Sequence, residues 1–563
     1  MARKKSNKQQ ENLAVETDVK SKDEFILNKI DWAWVGLGLT FLITFFIRLK
    51  FLDIPFERDE GTYTYFGQLL LDGQIPYVDF YEMKYPGIYY SYAGLIAIFG
   101  ATVKGIHLAF IFLNLATIFF IFQIGKTITD KWGGLVAALS YAILSLAPHV
   151  SGFTVQSEHL VTFYSCGGIW LLLLGFDKKK WFYYFMGGFL IGFSFLIKQN
   201  GVFFILFGGL SLVVYYALQK PISYKQAIKD IALYSGGVFT PFIAFCLLIL
   251  SMGAFDEFWY FTYEFPKTYV EEFNLEQGKQ LFYSTLDRIT ANNIMMWGLS
   301  GIGFVAIWIS RQTITNKIII TLFGIASFIS IAPGLRFYGH YWIMMMPGVA
   351  VCVGAFVYSL MSIMEKWNMS KTVALSVPMI IFGIAVASNW SKESDYYMKP
   401  NHTKILREVY GTNPFPESMV IGDYIKARTT EEDEIVVLGS EPQIYFYTDR
   451  KCPSKHSYTT WLVNAGGLPI AAEFQKEFII DVEEAMPKYM VFFNHPISWL
   501  MHPNADKTIF TWFNTFSQQN YKLVGVADMV GPNQTDYLWD QQVLNYKPKG
   551  QYYIWVFERK NDV

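Results

Sequence analysis

Ten ionisable or imidazole side chains stand where apolar runs begin or end: Arg58, Asp59, Glu60, Lys84, His149, Glu158, His159, Lys198, Arg336 and His340. Charges near the ends of membrane segments are costly and therefore informative. Together these residues supply what acid–base chemistry on a phosphate-bearing substrate requires: carboxylates that can take a proton, and cations that can hold an anion. Each has a plainer reading. Arg58-Asp59-Glu60 opens a helix-like stretch, GTYTYFGQLLLDG, whose first turn favours carboxylates, so capping and catalysis weigh about equally. Lys84, in EMKYPG, could be a lysine reaching for the membrane surface, and so could Lys198 in LIKQNG. Glu158 could simply cap the run it begins. Arg336, in LRFYGHYW with His340, has the planar fork that suits a phosphate, although a lipid headgroup or an acid of the tail would serve it equally well. His149 and His159 flank Glu158 too loosely to define a metal site; a divalent cation stays open, and no other cofactor is indicated.

The elements that must position these groups are helices in lipid. Of 563 residues, 52% are hydrophobic, 18% aromatic and 17% charged, with net charge −1 and mean hydropathy +0.25. A basic nucleic-acid surface is excluded by that balance. Apolar runs predict about eleven spans: 33–49, 105–125, 133–147, 160–176, 181–197, 202–218, 231–250, 294–309, 318–332, 342–361 and 373–387. Alternate connections carry the lysines: Lys126 and Lys131; Lys178, Lys179 and Lys180; Lys220, Lys225 and Lys229; Arg311 and Lys317; Lys366 and Lys371. The positive-inside rule makes these connections cytoplasmic, which places the ten candidate residues on the opposite face.

The expected organisation is a disordered cytoplasmic N-terminus (1–31), a transmembrane domain (32–390) with outer loops at 51–102 and 252–293, and an extracytoplasmic α/β domain (391–563). The expected location is a bacterial inner membrane. Within the first outer loop, residues 87–99 are too short to cross and read as an interfacial helix. In the tail, the runs EIVVLG, KYMVFFN and YYIWVFE read as strands. Cys166, Cys246, Cys352 and Cys452 form neither a disulfide framework nor a CxxC pair. The run Gly125-Lys126-Thr127 lacks the earlier glycine of a phosphate-binding loop, because that position is Phe120, and no HExxH or GxSxG occurs.

Three segments, Arg58-Asp59-Glu60-Gly61-Thr62-Tyr63, Gly73-Gln74-Ile75-Pro76-Tyr77-Val78-Asp79 and Lys84-Tyr85-Pro86-Gly87, resemble the C-type (GT-C) membrane glycosyltransferases. The resemblance is specifically to the glycosyltransferase family 39-like group, which includes protein O-mannosyltransferases and the lipid A aminoarabinose transferase. Phe195-Leu196-Ile197-Lys198-Gln199-Asn200, the run from Arg336 to Trp342, and Glu441-Pro442-Gln443-Ile444-Tyr445 are similar to bacterial members. The resemblance implies a GT-C-like helical fold with about eleven spans and a polyprenyl-phosphate sugar donor. It also implies inversion at the anomeric carbon, and a glycan, lipid or protein acceptor. It maps the acid pair onto Asp59, the base, and Glu60. The phosphate-binding lysine becomes Lys84, with Tyr85 where the family usually has proline; by their own chemistry, as fixed cations for a leaving phosphate, Lys198 and Arg336 are further candidates. Arg58, Tyr63, Glu158 and His340 fall in the donor and acceptor site. A transporter or flippase of a lipid-linked saccharide is the alternative, and an assembly protein the third reading. A transporter would keep its charges near the midplane on broken helices.

Overall fold

A computed structural model describes residues 31–270, 274–464 and 469–560. The expectation for the N-terminus falls outside these residues, apart from Asp31. That residue caps the helix Trp32–Arg48, accepting from the Ala33 amide and, at 3.0 Å, from Lys131 Nζ.

All of the expected spans fall on helices, but they differ in reach. Seven helices are long and apolar enough to cross a bilayer: Trp32–Phe51, Val103–Ile128, Ser157–Lys178, Gln199–Ala217, Tyr224–Ser251, Met346–Lys366 and Lys371–Met398. Leu275–Thr290 and Ile294–Ile309 make an eighth only if a pair bent by 110° counts as one span. The count of about eleven came from apolar helices that are shorter: Lys131–Leu144, Trp181–Ile197 and Ile314–Ile329. A helix needs about 20 residues to cross the ~30 Å hydrocarbon core, and apolar composition alone does not measure length. Gly87–Phe99 is a helix, as expected. The last long helix continues to Met398, past the expected domain boundary at 390.

Small residues let these helices approach closely, as membrane bundles require where lipid tails are as apolar as leucine. A Cβ on Gly192 would lie 2.2 Å from the Val238 carbonyl oxygen, so only glycine permits that crossing. At one end of the bundle the lysine-bearing connections are tied together. Gln312 Nε2 donates to the carbonyls of Ile128 and Thr129, Lys366 Nζ to that of Ile309, and the Arg311 amide to Ser362 Oγ. The opposite end carries the candidate site.

The C-terminal domain is a five-stranded sheet in the order β1-β2-β5-β3-β4, where β1 is Ile435–Leu438, β2 Tyr489–Asn494, β3 Tyr521–Gly531, β4 Gln534–Trp539 and β5 Tyr552–Arg559. Strands β1 and β2 pair in parallel; the other neighbours are antiparallel. The three runs expected as strands are β1, β2 and β5. The β3–β4 hairpin was not anticipated, because its second strand, QTDYLW, is polar and only half-buried. All four residues of β1 are buried, as in a strand covered on both faces.

This domain sits directly on the helix Arg58–Leu71. A Cβ on Gly61 would lie 2.5 Å from Gln443 Cβ, Tyr65 stacks on Tyr445 with centroids 5.0 Å apart, and the Phe56 amide donates to Tyr447 Oη. Replacing Gly61 by valine should therefore unseat the domain at a cost of about 1–3 kcal/mol. Limited proteolysis should then release the C-terminal domain from the variant sooner than from the wild type, together with a lower thermal midpoint.

Candidate active site

The start of the helix Arg58–Leu71 divides the labour of three consecutive charged residues and the acid before them. Glu57 is the N-cap: its Oε1 accepts from the Glu60 amide at 2.6 Å and from Gln156 Nε2 at 2.8 Å. Burial, reinforced by Asp59, pushes its carboxyl well above the usual range. Glu60 turns inward, and its side chain is 0% exposed. Its Oε1 accepts from His107 Nε2 and from the Val155 amide, both at 3.0 Å. Arg58 turns to the C-terminal domain, where Nη2 pairs with Glu441 Oε1 at 3.2 Å and Nε donates to the Ser440 carbonyl at 2.7 Å. Successive helical residues point about 100° apart, so only Asp59 of this run faces the cluster described next.

Asp59 is 31% exposed by side chain, and its Oδ2 lies 3.6 Å from Lys84 Nζ and 3.3 Å from Tyr63 Oη, which donates to it. Lys84 is shared, for its Nζ is also 3.6 Å from Glu82 Oε2 and 4.8 Å from the Tyr63 ring centre. The loop holds this geometry. Glu82 Oε2 accepts from the Lys84 amide at 3.1 Å, and Tyr77 Oη donates to the Lys84 carbonyl at 2.7 Å. Burial opposes ionisation of Asp59, but Lys84 and then His340 outweigh it and hold the carboxyl below the usual carboxylate range. Burial likewise disfavours the Lys84 ammonium, yet Asp59 and Glu82 outweigh it and raise its pKa well above that of a free lysine.

Behind this pair lies a second one. Lys198, at the end of the helix Trp181–Ile197, forms an ion pair with Glu158 in the first turn of Ser157–Lys178. Its ammonium also sits 3.7 Å over the Tyr341 ring. His340 Nε2 is 3.9 Å from Glu158 Oε1. Arg336 is buried, and its Nη1 donates to Tyr338 Oη at 3.2 Å; the Tyr338 ring stacks on His340. Alternating acids and bases thus run from Asp59 through Lys84 to Glu158, Lys198 and His340, with the rings of Tyr63, Tyr341 and Tyr338 against them.

Of the residues expected at the site, Asp59, Lys84, Tyr63, Glu158, Lys198 and His340 converge, and Arg336 joins them through Tyr338. Glu60 and Arg58 do not. Glu60, expected beside Asp59 in catalysis, lies buried against His107 and Val155, and Arg58 is engaged by Glu441. His159 helps cap its own helix, its Nδ1 accepting from the Gln156 amide. Among the described residues, no group of three His, Cys, Asp or Glu side chains could hold a metal ion. Sequence reasoning missed Glu82 and Tyr341. The position of Glu82, two residues before Lys84 in a turn, was a usable signal; nothing local marked Tyr341.

Residues 84–249 match the family described as dolichyl-phosphate-mannose-protein mannosyltransferase, a segment that holds Lys84, Glu158 and Lys198. No curated protein matches the chain by sequence. Among solved structures, ArnT from Cupriavidus metallidurans in the apo state is 14% identical over 93% of this chain and 97% of that one, with a TM-score of 0.53. The same protein bound to undecaprenyl phosphate is 15% identical over 82% of this chain and 93% of that one, with a TM-score of 0.54. The oligosaccharyltransferase AglB from Archaeoglobus fulgidus, in complex with an inhibitory peptide and a dolichol-phosphate, is 12% identical over 92% of this chain and 75% of that one, with a TM-score of 0.51. At such identities the likeness is one of fold. The chain is a multi-pass membrane protein that shares the fold of these structures and carries a small C-terminal sheet domain.

The buried Glu158–Lys198 pair makes a stability prediction. Removing one partner strands the other charge, so Glu158→Gln should cost about 3–5 kcal/mol. The double change Glu158→Gln with Lys198→Met should cost less than the sum of the two single changes. Thermal unfolding of all three proteins in one detergent checks the non-additivity.

Proposed function

We propose that the protein is an inverting glycosyltransferase that moves a sugar from a polyprenyl-phosphate carrier to an acceptor hydroxyl on the non-cytoplasmic side of a bacterial inner membrane. The observation that carries this reading is the Asp59–Lys84 pair: a half-exposed carboxylate held ionised beside a fixed ammonium, at the end of the bundle remote from the lysine-bearing connections. Structures of the same fold support the donor class, one being ArnT bound to undecaprenyl phosphate and another AglB with a dolichol-phosphate.

In this mechanism the acceptor hydroxyl oxygen attacks the anomeric carbon from the face opposite the phosphate. Its proton passes to Asp59, the new C–O bond forms, and the bond to the phosphate oxygen breaks with its electron pair on the leaving group. Polyprenyl phosphate departs with the charge it has gained. Lys84 meets that charge, with Lys198 and Arg336 as further cations. Fixed cations in a poorly hydrated pocket stabilise a developing anion more than bulk water does. Tyr63 orients Asp59, while Glu158 and His340 set the field around Lys198. A carrier with a long isoprenoid tail accounts for a site at a membrane boundary. The acceptor is a glycan, lipid or protein hydroxyl.

Purified protein in lipid, given a panel of radiolabelled polyprenyl-phosphate sugars with cell-envelope acceptors, tests the reading. Asp59→Asn should lower transfer by roughly 10²–10⁴-fold, the range for a lost general base. Movement of labelled lipid between leaflets without sugar transfer would favour a transporter instead. The pH profile supplies a second test. Because Asp59 is held below its ordinary value, its base form persists at neutral pH and is lost as pH falls through that lowered value. The acid limb of the rate should therefore lie below about 3.9, the unperturbed aspartate value. In Lys84→Gln the cation that depresses Asp59 is gone, so the limb should move to higher pH.

A further inference from the structure

The C-terminal domain reaches the site through residues 456–460, and both ends of this segment are tied beside residues already described. At one end His456 is fully buried, with Nδ1 2.8 Å from Tyr81 Oη and Nε2 2.9 Å from Glu477 Oε2. The Glu477 carboxylate, also paired with Lys455 at 3.0 Å, can only accept, so Nε2 carries the proton and Nδ1 accepts from Tyr81. Tyr81 precedes Glu82, the second carboxylate on Lys84. At the other end Thr459 Oγ1 accepts from the Gly439 amide at 3.1 Å, and Thr460 hydrogen-bonds Ser440, whose carbonyl accepts from Arg58 Nε. Arg58 precedes Asp59. The segment therefore spans from the neighbour of Glu82 to the neighbour of Asp59, and Tyr458 stands at its middle.

Tyr458 is the one half-buried residue of these five; the other four are buried. Its ring lies 6.0 Å from that of Trp461, and its hydroxyl makes no hydrogen bond among the described residues. Burial, with Asp59 and Glu82, raises the phenol above its ordinary value against the pull of Arg58 and Lys84, so it stays a neutral donor facing those four groups. Arg58 offers a second donor. Its Nε and Nη2 go to the carbonyls of Ser440 and Ile497 and to the side chains of Asn413 and Glu441, while Nη1 has no hydrogen bond among the described residues.

Two free donors on this flank could serve either partner of the proposed reaction, and charge decides between them. Glu441 matches Arg58, and Asp59 with Glu82 outnumber Lys84, so a phosphate here would meet net negative charge. The oxygen atoms of an uncharged group would not. In the proposed reaction the phosphate is met by Lys84, Lys198 and Arg336 on the bundle side, and the acceptor must come from the opposite face with its hydroxyl on Asp59. The flank built by the C-terminal domain is the one left to it. We propose that Tyr458 Oη and Arg58 Nη1 form the acceptor subsite, donating to oxygen atoms beside the hydroxyl that Asp59 deprotonates. The inference rests on the transferase reading and deepens it by one residue of the C-terminal domain.

Tyr458→Phe removes a hydroxyl that holds nothing within the protein, so the variant keeps its fold. With the radiolabelled donor that the wild type turns over, transfer is titrated with cell-envelope acceptor extract, and affinity for a short-chain polyprenyl phosphate is measured on the same preparations. The extract needed for half-maximal transfer should rise roughly 2–10-fold in the variant, as for one lost hydrogen bond. Its maximal rate and its affinity for polyprenyl phosphate should stay at wild-type values. An unchanged acceptor requirement would overturn the proposal. So would a fall in lipid affinity as large as the rise in that requirement, which would put Tyr458 on the donor. A wild type that transfers no sugar from any donor would remove the transferase reading itself, and the subsite with it.

Discussion

Lys84 is a largely buried cation, and such a charge persists only where carboxylates compensate its lost hydration. Asp59 and Glu82 do so, each 3.6 Å from the ammonium, and the arrangement of the surrounding chain follows from the need to keep them there. Two carboxylates on one lysine leave that lysine reliably protonated. They also create a competition, because a phosphate arriving at Lys84 must share it with Asp59. An anion that draws Lys84 away would loosen the ion pair and make Asp59 more basic, so in the proposed reaction donor occupancy and the basicity of Asp59 would be coupled through a single ammonium.

The rest of this face serves to hold Asp59 at that distance. Glu57 and Glu60 fix the first turn of its helix through His107, Gln156 and Val155, deep in the bundle. Arg58 and Gly61 fix the same helix from the other side, against Glu441 and Gln443 of the C-terminal domain. One short helix is therefore gripped by both domains, and the one acid of its first turn left half-exposed is the one paired with Lys84. The sheet domain is thereby a structural part of the site wall, whatever further task it has.

Much of this was legible in the residues. Apolar runs located the helices, because a segment that must bury its backbone in lipid has few other solutions. The lysine asymmetry separated the two ends, and the acids and cations near Asp59, Lys84, Glu158 and Lys198 were visible as a group. Three things were not. The division between Asp59 and Glu60 depends on rotation about a helix axis, which adjacent positions in a sequence do not reveal. Glu82 and Tyr341 act through tertiary approach, and the hairpin of β3 and β4 lacks an alternating apolar pattern strong enough to announce itself.

In the proposed mechanism Lys84 receives the donor phosphate while Asp59 competes for it. Affinity for a short-chain polyprenyl phosphate, measured by thermophoresis on detergent-solubilised wild type, Lys84→Gln and Asp59→Asn, tests it most directly. Binding should be weaker in Lys84→Gln and equal or tighter in Asp59→Asn, where the rival carboxylate has been neutralised. Unchanged affinity in Lys84→Gln, or a loss in Asp59→Asn as large as that expected for Lys84→Gln, would contradict it.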